Sequence, residues 1–326
     1  MSEVAVTAPL PGTALDRLAA VHRVRVRPPG PPLAGAELAA FVGGAEACIC
    51  LLADRVGAEV FSACPRLRVV ANYAVGVNNI DLVAAGRAGV VVTNTPDVLT
   101  EATADLTWAL ILAVSRRVLE GDRMVRQGRF EGWRPDLLLG PGLQGKTLVV
   151  VGLGRIGTAV ACRGVAFGMR VVAYTRSRAA APPGVECELA GDLDAVLPRA
   201  DVLTLHCPLT PETRGLIDAR RLGLLPPGAI LVNTSRGEVV DESALVAALE
   251  AGRLSGAGLD VYEREPAVHP GLVGRDDVVL LPHLGSATRE TRAAMADLTV
   301  DNVLAVLAGR PPLTPVALSP CRPGET

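Results

Sequence analysis

Short apolar runs alternate with helical stretches along the first hundred residues. VAVTA (4–8), VRVR (24–27), ACICLL (47–52), RLRVVAN (66–72) and GVVVTN (89–94) are predicted strands, with helices near 12–21 and 34–42 and a proline-rich turn from Pro28 to Pro32. This βα alternation predicts a parallel sheet. Apolar residues then recur at helical spacing from Thr100 to Arg126, with Thr100 as the start signal. That stretch is apolar enough, through Leu106, Ala109, Leu110 and Ala113, to suggest contact with a second copy of the chain.

A second series begins at KTLVVVG (146–152) and continues with MRVVAY (169–174), DVLTLH (201–206), AILVNT (229–234), LSGAGLDVY (254–262) and DVVLLPH (277–283), separated by helices near 155–167, 212–223 and 241–251. Six strands with right-handed crossovers make a dinucleotide-binding domain. An amphipathic helix over 288–309 follows, then a proline-rich tail expected to be extended. If that helix packs back on the first series, one doubly wound α/β domain (99–288) is inserted into another (1–98 and 289–326).

Composition narrows the options without choosing among them. Hydrophobic residues make up 49% of 326 and aromatics 3%, so the cores must be built from Ala, Val and Leu, as sheets buried on both faces are. Basic and acidic residues nearly cancel, 32 against 34, and no basic run occurs, so no nucleic-acid partner is expected. The seven cysteines lack metal-type spacing. Cys48 and Cys50 are expected to be packing residues, and no metal site is expected. The start MSEVAVTAPLPG has no basic n-region, and no segment reaches the ~18 apolar residues of a membrane span. A soluble, cytoplasmic protein is expected.

Four segments carry chemistry. Gly152, Gly154 and Gly157 form G-x-G-x-x-G between an apolar strand and a helix, where a tight turn, close backbone approach and helix–strand packing serve a pyrophosphate. The next strand ends Tyr174-Thr175-Arg176-Ser177-Arg178, with no carboxylate before Glu186. An NAD site usually places Asp or Glu there. Guanidinium and hydroxyl groups suit a 2′-phosphate instead, so NADPH is the expected cofactor, with NADH possible. Arg236, in NTSRG, has the donor fork for a carboxylate. His283, in LPHLGSAT, can deliver a proton near neutral pH, and Glu265, in GLDVYEREP, would orient its ring. Each of the three follows a predicted strand, so all should gather at one end of a parallel sheet. His22, His206 and His269 lack such company.

NTSRG, GLDVYEREP, PHLGSAT and GLGRIG together resemble the signature segments of the D-isomer-specific 2-hydroxyacid dehydrogenases, over nearly the whole chain. Within that family, ANYAVGVNNID (71–81) and the end of the second cofactor strand are most similar to the glyoxylate/hydroxypyruvate reductases. The resemblance implies hydride transfer from NAD(P)H to a small 2-keto acid. It implies a substrate carboxylate held by the Val75 and Gly76 peptides beside Arg236, Leu52 lining the pocket, and Asp260 at the nicotinamide carboxamide. Arg155, Ile156, Pro208, Thr213, Thr234, Ser235 and Gly285 are further expected cofactor contacts. Trp133 matches a residue that in such reductases enters the neighbouring subunit's site, and a homodimer is expected. A 3-phosphoglycerate dehydrogenase is the competing enzyme, but segments 51–55 and 72–79 offer its phosphate only Arg55, and no regulatory domain fits after residue 310. A formate dehydrogenase lacks the Glu–His pair. A nucleotide-sensing corepressor would need a docking surface or an added tail.

Overall fold

The computed structural model describes residues 1–176 and 180–317, and divides into a unit of 1–99 with 287–326 and a unit of 100–286. Two expected cofactor residues, Ser177 and Arg178, lie outside the described residues.

The first unit is a five-stranded sheet: β1 (Glu3–Val6), β2 (Arg23–Val26), β3 (Ala47–Leu51), β4 (Val69–Tyr73) and β5 (Val91–Thr93). All pairings are parallel, in the order β2-β1-β3-β4-β5. Helices α1 (Ala14–Ala19), α2 (Gly35–Val42), α3 (Ala58–Ala63) and α4 (Leu82–Arg87) connect them. The central strands are buried along their length, whereas β2, at the edge, reads RVRV and is half exposed. Cys48 and Cys50 are buried in this core, where desolvation pushes both thiol pKa values up.

The second unit opens with α5 (Thr100–Ser115) and α6 (Val118–Arg126), two helices where the apolar spacing predicts one. Arg117 breaks the run with a left-handed backbone, φ 51°. Then come β6 (Thr147–Val151), α7 (Arg155–Ala166), β7 (Arg170–Tyr174), β8 (Glu188–Ala190), α8 (Leu193–Val196), β9 (Val202–Leu205), α9 (Ala219–Leu224), β10 (Ala229–Asn233), α10 (Glu242–Glu250), β11 (Leu254–Leu259) and β12 (Val278–Leu280). The sheet is parallel throughout, in the order β12-β11-β10-β9-β6-β7-β8. It has seven strands where six are predicted, and β8 is the addition. This is a doubly wound sheet, with an apolar cluster on each face.

α5 belongs to one of those clusters. Leu110 is 1% exposed beside Ala104, Trp108, Ile111 and Val114, and the ring of Trp108 stacks on Phe167 at 4.4 Å. The glycines of β11 make room for it: a Cβ on Gly256 would sit 2.7 Å from Val114, and one on Gly258 3.0 Å from Leu110. The expectation that Leu110 faces a second copy is therefore corrected, because its face is filled within its own unit.

The chain returns to the first unit as α11 (Arg289–Leu307), capped by the Thr288 hydroxyl, which accepts from the Thr291 N–H. Arg17 pairs with Asp297 and Asp301 on α11, and the Tyr73 hydroxyl donates to the Arg292 carbonyl at 2.7 Å. Asn302 holds the following segment by accepting from the Leu313 and Thr314 N–H groups. Among the described residues no helix is long and apolar enough to cross a membrane, and no cluster of His, Cys, Asp or Glu could hold a metal ion.

Candidate active site

The dinucleotide turn joins β6 to α7. Gly152 has φ 96°, a conformation open to glycine, and a Cβ there would lie 2.8 Å from the Cys207 N and the His206 carbonyl. A Cβ on Gly157 would lie 1.9 Å from the Gly152 carbonyl oxygen, so α7 can seat on the turn only without a side chain at that position. Nothing lies within 4 Å of where a Gly154 Cβ would be. Gly154 is also the N-cap of α7 and supplies no side-chain acceptor. The first turn of α7, starting with Arg155 and Ile156, thus begins beside open space at Gly154, with the positive end of a twelve-residue helix there. A pyrophosphate fits that cradle.

Around it, Thr175 follows β7 and donates its N–H to the Ala190 carbonyl, while Arg176 is exposed. The Arg176 charge lowers the pKa of Cys207 against the larger upward effect of burial, and helps to lower that of Glu212 after its hydrogen bonds. The 207–213 turn thus lies within reach of the Arg176 charge. There Thr213 accepts from the Thr210 N–H at 2.8 Å and donates to the Pro208 carbonyl at 2.6 Å, which fixes the turn.

His206 ends the strand run at the floor of this site, with Nε2 2.9 Å from the Thr204 hydroxyl. Burial drives its pKa from 6.5 to about 3. Between those pH values the unfolded chain binds the extra proton. The contribution of neutral His206 is thus complete above about pH 6.5 and is lost as pH falls toward 3. Thermal melts of His206→Gln should show a shallower fall in Tm over that window than the wild type. Equal slopes would show that the ring takes up its proton in the folded protein.

The other half of the sheet carries Arg236, Glu265 and His283, on the loops that leave β10, β11 and β12, adjacent strands in that order. His283 Nδ1 lies 3.0 Å from Glu265 Oε2, and Glu265 Oε1 accepts from the Tyr262 N–H at 3.1 Å. Burial raises the Glu265 pKa. The His283 hydrogen bond and charge, the Tyr262 N–H and Arg236 outweigh that effect and hold the carboxyl below its usual range. Arg236 is half-buried and donates to the Ser235 carbonyl at 2.7 Å. Desolvation lowers its pKa, opposed by the charges of Glu265 and Glu238.

Backbone contacts hold these loops. A Cβ on Gly237 would be 1.8 Å from the Tyr262 carbonyl carbon, so the Arg236 and Glu265 loops lie main chain to main chain. Asn233 accepts from the Ser235 N–H and hydroxyl and donates to the Arg236 carbonyl. The Asp260 carboxylate accepts from the Leu284 N–H at 2.6 Å and the Gly285 N–H at 2.8 Å, and its carbonyl from the His283 N–H. Burial raises the Asp260 pKa in spite of these bonds. His283 itself has φ 56°, a strained conformation of the kind found at functional sites. Thr234 meets Thr107 hydroxyl to hydroxyl at 2.8 Å, and the Gly285 carbonyl accepts from Thr103.

Sequence reasoning missed Asn233, Tyr262 and Glu242. The hydroxyl of Tyr262 donates to the Leu281 carbonyl at 2.8 Å, linking the Glu265 and His283 loops, and buried Glu242 accepts from the Glu263 N–H at 2.7 Å. Asn at the end of the apolar run AILVN was the available signal.

In the first unit, Leu52 follows β3 and is half-buried. Val75 and Gly76 lie in the loop after β4, with their carbonyls accepting from Asn94 and Asn72 at 2.8 Å. Trp133 is 81% exposed, in a stretch that also exposes Val118, Leu119, Val125, Phe130 and Leu139.

Residues 108–285 match the model of the D-isomer specific 2-hydroxyacid dehydrogenase NAD-binding domain. The glyoxylate reductase of Thermococcus onnurineus is 49% identical over 276 residues, 82% of each chain. A Thermus thermophilus crystal structure is similar with TM-score 0.90 and 50% identity, covering 97% of this chain and all of that one. The NADPH-dependent glyoxylate/hydroxypyruvate reductase of Sinorhizobium meliloti, in complex with NADP and malonate, gives TM-score 0.86 at 36% identity, covering 100% and 99%. A dinucleotide turn on one half of the sheet and a His–Glu pair on the other thus occur in a chain that belongs to the D-isomer specific 2-hydroxyacid dehydrogenases and uses a nicotinamide cofactor.

Proposed function

We propose that the protein reduces a small 2-keto acid, glyoxylate or hydroxypyruvate, to the D-2-hydroxy acid. The observation that carries this reading is the 3.0 Å contact of His283 Nδ1 with Glu265, beside the Arg236 loop. A bound nicotinamide supplies the hydride. Arg236 pairs its guanidinium with the substrate carboxylate, and the peptide N–H groups of Val75 and Gly76 are further carboxylate donors in this reading. Glu265, held ionised, accepts from Nδ1–H of His283 and fixes the ring, leaving Nε2–H to protonate the keto oxygen as the carbonyl carbon is reduced. The proton and the hydride together turn C=O into CH–OH and leave the imidazole neutral. The relatives named glyoxylate reductase support this substrate class. Assay of purified protein on glyoxylate, hydroxypyruvate and pyruvate with NADPH and NADH tests it, and no turnover on any of them would refute it.

NADPH is the preferred cofactor in this reading. Arg176 is exposed at the end of β7, where its charge reaches Glu212, and a 2′-phosphate there adds charge-assisted hydrogen bonds worth about 1.5–3 kcal/mol each. A preference of about tenfold or more in kcat/KM follows. Thr175→Asp with Arg176→Ser should reverse it. Equal efficiency of the wild type with both cofactors would place the Arg176 guanidinium in solvent.

The protein acts as a homodimer held through 118–139. No residue of α6 is buried, and Val125, Phe130, Trp133 and Leu139 are each more than half exposed, a larger apolar run than a lone chain usually leaves in water. Sedimentation at micromolar concentration should give twice the 33.7 kDa chain mass, and a single-chain mass would count against it.

A further inference from the structure

The first unit carries a built network that the reaction scheme leaves unused. Its sheet order reverses between β1 and β3, and in open parallel sheets the crevice at such a point is where ligands enter. Here the crevice is bridged from within. Asp54, 3% exposed, accepts at Oδ2 from the Thr7 hydroxyl (2.6 Å) just past β1 and from the Leu51 N–H (2.8 Å) at the end of β3. At Oδ1 it accepts from the Leu33 N–H (2.8 Å) before α2. One buried carboxylate thus gathers three segments. Asn79 extends the link, its carboxamide donating to the carbonyls of Leu51 (3.2 Å) and Asp54 (3.1 Å) and pairing with Asn72. Asn72 in turn donates to the Gly76 carbonyl at 2.8 Å. The Leu52 loop and the Val75–Gly76 loop are therefore two ends of one hydrogen-bonded frame.

We propose that Asp54, Asn79 and Asn72 are positioning residues for substrate: they hold Leu52 and, through the Gly76 carbonyl, fix the path of the loop whose peptide N–H groups meet the keto acid. This rests on the reading that those peptides bind the substrate carboxylate. The frame sets ground-state and transition-state binding alike, so its loss acts on KM before kcat.

Asp54→Asn turns an acceptor into an NH₂ that confronts one of three buried donors, and Asn79→Ala removes the link between the loops. Each should raise KM for glyoxylate about tenfold or more, with kcat within about threefold and the NADPH dissociation constant, from fluorescence titration, unchanged. Thr7→Val, which deletes one donor and keeps the charge, should give a smaller rise in the same direction, and it decides the matter with Asn79→Ala if Asp54→Asn does not fold. A lowered Tm with unchanged KM in these variants would reduce the frame to a structural role and overturn the proposal. Arg236→Gln separates the two levels. If it raises KM while the frame variants do not, the frame alone fails; if it leaves KM unchanged, the carboxylate-binding reading fails and the frame's role falls with it.

Discussion

Replacing His283 with alanine is expected to lower kcat by about 10²–10⁴, the usual worth of a positioned acid–base group, while cofactor affinity is retained. His283 is placed by two separate devices, and only one of them is its side chain. Its ring is aimed by Glu265 at 3.0 Å. Its main chain is pinned by the Asp260 carbonyl, and the next two N–H groups by the Asp260 carboxylate, so the loop keeps its path when the ring is removed. The left-handed φ of 56° disfavours alanine. Asn tolerates that region, so His283→Asn is the companion variant. Single-turnover and steady-state rates with saturating NADPH measure the effect. Near-normal turnover in both variants would remove His283 from the mechanism.

Gly157→Ala is expected to raise the cofactor dissociation constant about a hundredfold. Its Cβ would lie 1.9 Å from the Gly152 oxygen, a backbone atom that cannot rotate away. α7 must then lift from β6, an overpacking of the kind that costs about 1–3 kcal/mol, and its first-turn N–H groups leave the pyrophosphate. Gly154→Ala, with nothing within 4 Å of the new methyl in the protein itself, is the contrast: fold stability should be unchanged, and any loss should appear only in cofactor binding. Fluorescence titration with thermal melts reads both. Equal cofactor affinity in Gly157→Ala and wild type would show that the turn yields.

The sequence was most legible where chemistry and local geometry coincide. Gly152, Gly154 and Gly157 announce their roles by spacing, and the apolar runs before Arg236, Glu265 and His283 place all three at one end of one sheet. What it concealed has three causes. β8 and helices α3 and α4 are three and six residues long, too short for periodicity to speak. The break at Arg117 uses a residue with no preference for positive φ, so nothing in the local pattern marks it. The Asp54 frame joins residues up to 47 positions apart, and only folding brings Thr7 to Asp54. Leu110 shows the converse error: its apolarity was legible, but which surface it faces depends on the glycines of β11.

The sheet of the second unit also divides its labour by strand. β6, β7 and β9 bear the dinucleotide turn, Arg176 and the 207–213 turn, while β10, β11 and β12 bear the guanidinium, the carboxylate and the imidazole. The two sets are contiguous in the gene as well as in space. Exchange of residues 229–286 between members of the family would thus transplant Arg236, Glu265 and His283 with most of their own braces, Asn233, Asp260 and Tyr262 included. Exchange of 147–213 would transplant cofactor choice. A recombinant made at the boundary between β9 and β10 should inherit its coenzyme from one parent and its acid–base pair from the other.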